Sequence, residues 1–180
     1  MEIISLDDVP KKPWKNGGGV SWEIAADENT PPAWRISVAL IDRSGPFSDY
    51  SGYDRTIVAI DGDPVELEVN GKPVVLARGE PFDFPGEAHV QCTVQGSARD
   101  FNVMTLRAVL CHDVAVVSSP QRFIVDDDEL AFLFVLRGDV AIGDRRCTAY
   151  DTVYIEDGAE RVDVVPDTGA LACMVRITPR

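Results

Sequence analysis

The sequence is poor in positive charge. Its 180 residues contain 17 lysine and arginine residues against 30 aspartate and glutamate residues, so the formal net charge is -13 and the pI is near 4.4. Such a charge opposes long-range attraction to phosphate backbones and to anionic membranes, so we expect neither nucleic acid nor a membrane as a partner. If the ligand is an anion, the few cations must be gathered locally, which makes each lysine and arginine position informative.

Histidine is equally scarce, since His89 and His112 are the only two. The sequence has no HxH pair and no glutamate at the usual spacing after one. Zinc and iron sites of enzymes need about three protein ligands in fixed geometry. We therefore expect no metal site and no other cofactor, and we expect each histidine to make ordinary hydrogen bonds.

Long apolar runs and paired cysteines are also missing. The four cysteines, which are widely spaced and form no CxxC pair, are Cys92, Cys111, Cys147 and Cys173. They predict buried, reduced thiols. The opening MEIISLDDVPKK lacks the basic and apolar segments of a signal peptide, and no run approaches the roughly 20 apolar residues of a membrane helix. We expect a cytoplasmic protein.

What the sequence does contain is alternation of polar and apolar residues with period two. The clearest segments are WRISVALI (34–41), PVELEV (64–69), FNVMTLRAVL (101–110), LAFLFVL (130–136), RVDVV (161–165) and LACMVRI (171–177). They predict strands, mostly with one polar and one apolar face, and NGK (70–72) and GDR (143–145) predict hairpin turns. No segment predicts a helix of more than about two turns. The fold class is all-β, a closed barrel or a sandwich.

An internal similarity divides the chain. Residues 57–86 run as apolar strand, Gly-Asp, alternating strand, turn, alternating strand and Gly, and residues 133–158 repeat that order. The repeat suggests two related sandwich units in one chain. The first copy contains GEPFDFPGEAH (79–89), which resembles the second motif of the cupins, a superfamily of small β-barrels, with one residue missing between proline and glycine.

Four further blocks carry a stronger resemblance: PWKNGGGVSWEIA (13–25), WRISVA (34–39), GPFSDYSGYDR (45–55) and DFNVMTLRA (100–108). In this order and spacing they closely resemble the HutD/Ves family. Two positions depart from the family pattern. Ser21 stands where the family usually has threonine, which keeps the hydroxyl group, and only Arg107 remains where the family often has two basic residues.

The resemblance implies a bicupin, in which residues 1–180 form one compact body with a first cupin-like unit of about 1–110 and a second of about 111–180. It implies a small-molecule-sensing regulatory protein of histidine utilisation, with urocanate or N-formylglutamate as the carboxylate ligand, or a stress-response protein on the Ves side. A homodimer and an unidentified regulatory partner are the protein partners that this resemblance suggests.

The candidate ligand-binding residues follow from strand periodicity combined with these blocks. Period two places Arg35 and Ser37 on one face of their strand, and it places Asp100, Asn102 and Met104 on one face of another. A strand that turns such polar groups inward would line a cavity suited to a small polar ligand. We expect three cations, Lys15, Arg35 and Arg55, and the amide of Asn16 to bind the carboxylate of this ligand.

Each of these residues also has a plainer interpretation. Arg35 can lie on a solvated face, Arg55 can pair with an acid elsewhere, and Asp100 can cap a turn or orient an arginine. DDDE (126–129) predicts a solvated turn. Three consecutive glycines, Gly17, Gly18 and Gly19, are expected to shape the opening loop over the mouth of the first barrel, because glycine allows positive φ and close backbone approach.

No nucleophile stands beside a matched base in this set, so the sequence favours ligand binding over catalysis. The alternative is a metal-independent cupin enzyme, an isomerase or hydrolase of a small carboxylate, in which Asp100 and Lys15 do acid-base work. A third alternative is a non-enzymatic stress-response or interaction protein. Saturable stabilisation by a small acid would exclude the third alternative, and turnover of that acid would favour the enzyme.

Overall fold

The predicted alternation does form strands. The computed structural model describes residues 1–14, 17–155 and 161–180, and its helical structure in these ranges is one 3-10 turn, Leu6–Asp8. The strands in chain order are β1 (Glu2–Ser5), β2 (Lys11–Pro13), β3 (Gly19–Ala26), β4 (Trp34–Ile41), β5 (Gly45–Pro46), β6 (Tyr53–Gly62), β7 (Val65–Val69), β8 (Lys72–Leu76), β9 (Pro81–Pro85), β10 (Val90–Val94), β11 (Ala98–Leu106), β12 (Leu110–Val117), β13 (Gln121–Phe123), β14 (Leu130–Arg137), β15 (Val140–Ile142), β16 (Arg145–Cys147), β17 (Asp151–Ile155), β18 (Val162–Pro166) and β19 (Leu171–Pro179).

Both predicted hairpin turns are confirmed. Asn70 and Gly71 join β7 to β8 with φ values of 51° and 78°, the left-handed pair that a two-residue type I′ turn requires. Gly143, with φ 58°, joins β15 to β16. The predicted strand 101–110 is wrong at its end, because β11 stops at Leu106 and a turn precedes β12 at Leu110.

The chain divides into two compact units, Pro10–Val109 and Met1–Val9 with Leu110–Arg180. The first contains sheets of order β2-β3-β4-β11-β6-β9 and β5-β10-β7-β8, and the second contains β1-β17-β14-β19-β12 and β13-β18-β15-β16. Adding eight to the strand numbers of β4 to β11 reproduces the order of the second unit, apart from its additional edge strand β1. The repeat noted between residues 57–86 and 133–158 is therefore a repeat of topology.

Several central strands, predicted to have one polar and one apolar face, are buried on both faces. Residues 36–39 of β4, 100–105 of β11 and 131–136 of β14 are buried without interruption. Residues 131–136 of β14 are all apolar, as is typical of a strand covered on both sides. In β4 and β11 the polar members of the alternation face the interior of the first unit instead of solvent.

The interior of each unit has its own apolar core. In the first unit it includes Ile41, Ala59, Cys92 and Ala98. In the second unit β19, the counterpart of β11, presents Ala172 and Met174 to an apolar core. The two counterpart strands thus differ, because β11 carries Asp100 and Asn102 on its inward face.

The burial of individual side chains also corrects two smaller expectations. Glu129, the last residue of the DDDE segment, is 2% exposed and forms an ion pair with Arg176, whereas residues 126–128 are exposed as expected for a turn. The cysteines are free thiols, of which Cys111 is only half-buried. Within 1–14, 17–155 and 161–180, no helix has the length and hydropathy needed to span a bilayer.

Candidate functional site

The interior of the first unit contains a cavity of about 510 Å³. Its walls are the inward faces of β3, β4, β6 and β11, the end of β2, and the segment that leads from β5 towards β6. The lining residues are Pro13, Trp14, Ser21, Arg35, Ser37, Ala39, Pro46, Phe47, Ser48, Asp49, Tyr50, Arg55, Asp100 and Asn102. Aromatic side chains thus lie opposite a polar sheet wall, a composition typical of sites for small organic ligands.

The sheet wall is ordered by strand register. β11 pairs with β4 on one side and β6 on the other, and residues two apart on a strand share a face. The inward face therefore consists of three successive cross-strand rows: Arg35–Met104–Arg55, Ser37–Asn102–Ile57 and Ala39–Asp100–Ala59. The first row is cationic, the second carries a hydroxyl and an amide group, and the third is acidic, so the character of the wall changes between residues 104 and 100 of β11.

Arg55 is an almost fully buried cation. Arg55 is 8% exposed, and its guanidinium carbon lies 4.8 Å from the ring centre of Phe84 and 5.2 Å from that of Tyr50. Its Nη2 donates to Asn102 Oδ1 at 3.2 Å. Burial lowers the pKa of Arg55 from its ordinary value, and the charge of Asp100 opposes that shift. The aromatic faces stabilise the cation in a position where water cannot hydrate it fully.

Asp100 is the acid of the site. It is 2% exposed and accepts from Asn102 Nδ2 at its Oδ1, at 2.6 Å. Burial raises the pKa of Asp100 to about 7, against the opposing effects of the Asn102 hydrogen bond, the Arg55 charge and the backbone N–H of Ala39. Asn102 therefore bridges an arginine and a carboxyl group, and Asp100 titrates near neutral pH.

Two arginine donors in the cavity wall are unused. The buried Nε atoms of Arg35 and Arg55 have no hydrogen-bond partner among the described residues. A buried donor without an acceptor costs about 1–3 kcal/mol, more when the group is charged. Arg35 also lies beside Tyr50, with 5.7 Å between its guanidinium carbon and the ring centre. Both side chains line the cavity, so their guanidinium groups would attract an anion bound there.

The three glycines at the start of β3 make close backbone contacts. Gly17 has φ +68° and donates its N–H to the Trp14 carbonyl at 3.0 Å, and Gly19 leaves no room for a side chain, because a Cβ would lie 2.2 Å from the Leu40 carbonyl oxygen. Gly18 accepts from the backbone N–H of Asp42 at 3.4 Å. Trp14, whose carbonyl accepts from Gly17, lines the cavity.

The structure places the predicted site residues as follows. Arg35, Ser37, Arg55, Asp100 and Asn102 line the cavity, whereas Met104 lies buried in the cationic row and is not among the lining residues. Lys15 and Asn16 lie outside the described residues.

The cupin-like histidine lies away from this wall. His89 is exposed, and its backbone N–H donates to the side-chain oxygen of Asn70 at 3.0 Å. In the described part of the chain, no cluster of three histidine, cysteine or acidic residues could hold a metal ion.

Sequence reasoning missed the aromatic wall. Phe47 and Tyr50 belong to the block GPFSDYSGYDR, yet only Arg55 of that block was selected as a ligand-binding residue. The signal was present as two aromatic residues in a glycine-rich connection that ends at a strand cation. Their direction depended on the turn geometry that brings the segment 46–50 over the sheet.

Arg107 lies outside the cavity and connects the segments on either side of it by hydrogen bonds. Its Nε donates to Asp54 at 2.6 Å, and its Nη1 donates to Glu87 at 2.8 Å. Its Nη2 also donates to the backbone carbonyl of Tyr53 at 2.8 Å. The same guanidinium lowers the pKa of Glu87 to about 2. Arg107 therefore joins the turn after β9 to the start of β6, and we assign it a structural role next to the site.

Gly86, the glycine of the cupin-like motif, positions Tyr50. The Tyr50 N–H donates to the Gly86 carbonyl at 2.9 Å, and a Cβ on Gly86 would lie 2.2 Å from the Tyr50 carbonyl oxygen. We expect Gly86→Ala to displace the Tyr50 segment and to lower the free energy of unfolding by about 1–3 kcal/mol, as overpacking generally does. Urea denaturation measures this change.

The matched control for that substitution is Gly45→Ala, where a Cβ meets no atom within 4 Å. We expect the control to change the free energy of unfolding by less than about 0.5 kcal/mol, because the added methyl group meets no neighbouring atom. Equal effects of the two substitutions would contradict the assigned role of Gly86.

Comparison with known proteins gives a consistent family. The sequence model of the HutD family matches residues 6–173. Protein Ves of Citrobacter koseri is 31% identical over 179 residues, covering 95% of this chain and 91% of that protein. An uncharacterised 21.2 kDa protein from the hutC 3' region of Pseudomonas putida is 40% identical over 109 residues; that match spans 58% of this chain and only 57% of the relative's length.

Solved structures agree with the sequence comparison. HutD from Pseudomonas fluorescens SBW25 superposes with a TM-score of 0.89 at 30% identity, covering 99% of this chain and 98% of that one. A cupin 2 conserved barrel domain protein from Leptotrichia buccalis superposes with a TM-score of 0.61 at 9% identity over 99% and 96% of the two chains, which shows a shared fold. The chain therefore has an all-β, cupin-like bicupin fold and belongs to the HutD family, with Ves proteins among its relatives.

Proposed function

We propose that this protein is a regulatory protein that binds a small carboxylate without a metal ion. The observation that supports the proposal is the pair of arginines, Arg35 and Arg55, in the cavity wall, neither of which forms an ion pair within the described residues. Guanidinium groups bind carboxylates through parallel charge-assisted hydrogen bonds, which are stronger than hydrogen bonds between neutral groups. A chain with a net charge of -13 would not attract such an anion from a distance, so recognition depends on these local cations.

The relatives suggest which carboxylate to test. One relative comes from the hutC 3' region and another is HutD, which supports a link to histidine utilisation. Urocanate and N-formylglutamate are the candidate ligands that the family resemblance implies, and a cavity of about 510 Å³ is large enough to hold either. The Pseudomonas fluorescens structure comes from a formate condition, and formate is the simplest carboxylate probe.

Thermal stabilisation by a carboxylate tests the proposal. A ligand that prefers the native state raises the melting temperature, so we expect urocanate, N-formylglutamate or formate to do so with and without divalent metal ions. Arg35→Ala should remove the effect, because it deletes one of the two guanidinium groups. The control is Arg43→Ala, which changes an exposed arginine of the same unit that does not line the cavity.

Two outcomes would contradict the proposal. One is a stabilisation that appears only with a metal ion. The other is the same stabilisation in Arg35→Ala as in the wild type, which would place the anion elsewhere.

One observation favours a second candidate, a metal-independent enzyme that isomerises or hydrolyses a small carboxylate. The pKa of Asp100 is raised to about 7, the range in which a carboxyl group serves as a general acid or base. Incubation of the protein with each stabilising acid, followed by NMR of the small molecule, distinguishes the two functions. A product that forms with the wild type and not with Asp100→Asn would support the enzyme.

A further inference from the structure

We infer that the ligand of this cavity is bipolar: besides the carboxylate held by Arg35 and Arg55, it carries a nitrogen that donates a hydrogen bond to Asp100. The inference rests on the proposed carboxylate site and specifies the class of acid that occupies it. Amino acids, N-acyl amino acids and acids with an N–H-bearing ring belong to this class, whereas fatty acids and dicarboxylates without an N–H group do not.

The order of the three rows places Asp100 at a distance from the arginines that a small ligand can span. The side chain of Arg55 reaches from the cationic row to Asn102 in the middle row, where its Nη2 makes a hydrogen bond of 3.2 Å. An anion held by the guanidinium groups therefore lies near the middle row. Asp100 is one row further along β11, and rows two residues apart are separated by about 6.6–6.8 Å. A small molecule can span that distance.

Asp100 has spare capacity to accept a hydrogen bond. It accepts from the Asn102 side chain and from the backbone N–H of Ala39, whereas a carboxylate offers about four acceptor positions. Among the described residues no lysine or arginine forms an ion pair with it; Arg55 reaches it only through Asn102. A ligand nitrogen would satisfy a carboxylate that burial otherwise destabilises.

The second acidic residue of the lining is a weaker candidate. Asp49 is exposed and accepts from the Ser51 hydroxyl at 2.7 Å. A ligand contact there competes with water and contributes little. The buried Asp100 is therefore the acid that discriminates between ligands, and Asp49→Asn is the matched control for Asp100→Asn.

The test compares acids that differ only by a methyl or an ammonium group at the far end: propionate with glycine, butyrate with β-alanine, and pentanoate with 4-aminobutyrate. Isothermal titration calorimetry at pH 8 should show that, for at least one pair, the ammonium acid binds the wild type ten times more tightly or better. Asp100→Asn should reduce that preference at least fivefold and retain binding of the methyl acid. Asp49→Asn should leave the preference unchanged.

The wild type at pH 6 provides a measurement that needs no substitution. Asp100 is mostly protonated at pH 6 and the charges of the probes do not change, so the preference for the ammonium acid should fall at least fivefold. A preference that is absent at pH 8, that survives at pH 6, or that depends on Asp49 overturns the inference while carboxylate binding stands. If no acid binds, the carboxylate site itself is wrong.

Discussion

Arg55→Met should weaken binding of a carboxylate by at least about 100-fold, whereas it should change the free energy of unfolding by less than about 1 kcal/mol. Removing one partner of a buried, hydrogen-bonded charge pair generally costs about 2–5 kcal/mol of binding free energy. Arg55 has the features of such a partner, since it is 8% exposed and its Nε lacks an acceptor among the described residues. Calorimetric titration of the acid that stabilises the wild type measures the loss.

The small effect on stability follows from the cost of burying the cation. Burial lowers the pKa of Arg55, which means that the folded protein destabilises the charged form. Methionine has a similar length and packs well against aromatic rings, and three rings, Phe47, Tyr50 and Phe84, surround this position. Replacing buried charges by apolar residues of similar volume is often neutral or stabilising. The loss of the donor to Asn102 offsets part of that gain.

The control is Arg55→Lys, which keeps the charge but not the forked donor geometry. We expect it to retain weakened binding, intermediate between the wild type and Arg55→Met. Wild-type affinity in Arg55→Met would show that Arg55 does not bind the ligand. A loss of several kcal/mol of stability in the same variant would show that Arg55 is chiefly structural.

The second large effect is on the pH dependence of stability. The stability of the wild type should fall as the pH rises from about 4 to about 7, and Asp100→Asn should largely remove this fall. The folded-state pKa of Asp100, about 7, lies above the ordinary value of 3.8. Between these values the folded state binds more protons than the unfolded state, so the free energy of unfolding decreases with pH. A shift of this size corresponds to roughly 4 kcal/mol.

The groups around Asp100 oppose the rise of its pKa without reversing it. Arg55 faces it from β6, Asn102 and the backbone of Ala39 bind it from β11 and β4, and the pKa of Cys92 on β10 is raised in part by its charge. Burial still outweighs the opposing effects of Arg55, Asn102 and Ala39 on the Asp100 pKa.

Urea unfolding at pH 4.5, 6 and 8 measures the slope. Asp49→Asn is the control, because that acid is exposed, and it should keep the wild-type slope. An identical slope in Asp100→Asn and the wild type would show that Asp100 is charged throughout this range.

Much of the candidate site follows from the sequence because side-chain direction alternates locally along a strand. Arg35 with Ser37, and Asp100 with Asn102, share faces as predicted, and both pairs line the cavity. Arg55 was selected through the HutD-like block and lies in the same wall. Met104 shares the face of Asp100 and Asn102 but does not line the cavity, because periodicity gives a direction and not the extent of an empty space.

Other features depend on residues that are distant in the chain. Glu129 looked like part of a solvated turn and is buried against Arg176, 47 residues away. Arg107 belongs to a block that carries ligand-binding candidates and instead binds Glu87 and Asp54 outside the cavity. Strand alternation could not predict these pairs, because sheet pairing brings together residues that are far apart in the chain.

By itself the sequence determined the all-β class, the hairpin turns at Asn70 and Gly143, and the grouping of side chains along each strand, since these depend on neighbouring residues. Only the tertiary structure decided that the polar faces of β4 and β11 point inward and that Tyr50 covers the arginines. It also decided that Asp100 is buried deeply enough to titrate near pH 7. These properties require the pairing of strands far apart in the chain, which creates an interior, and it is the interior that sets the energies of the charges within it.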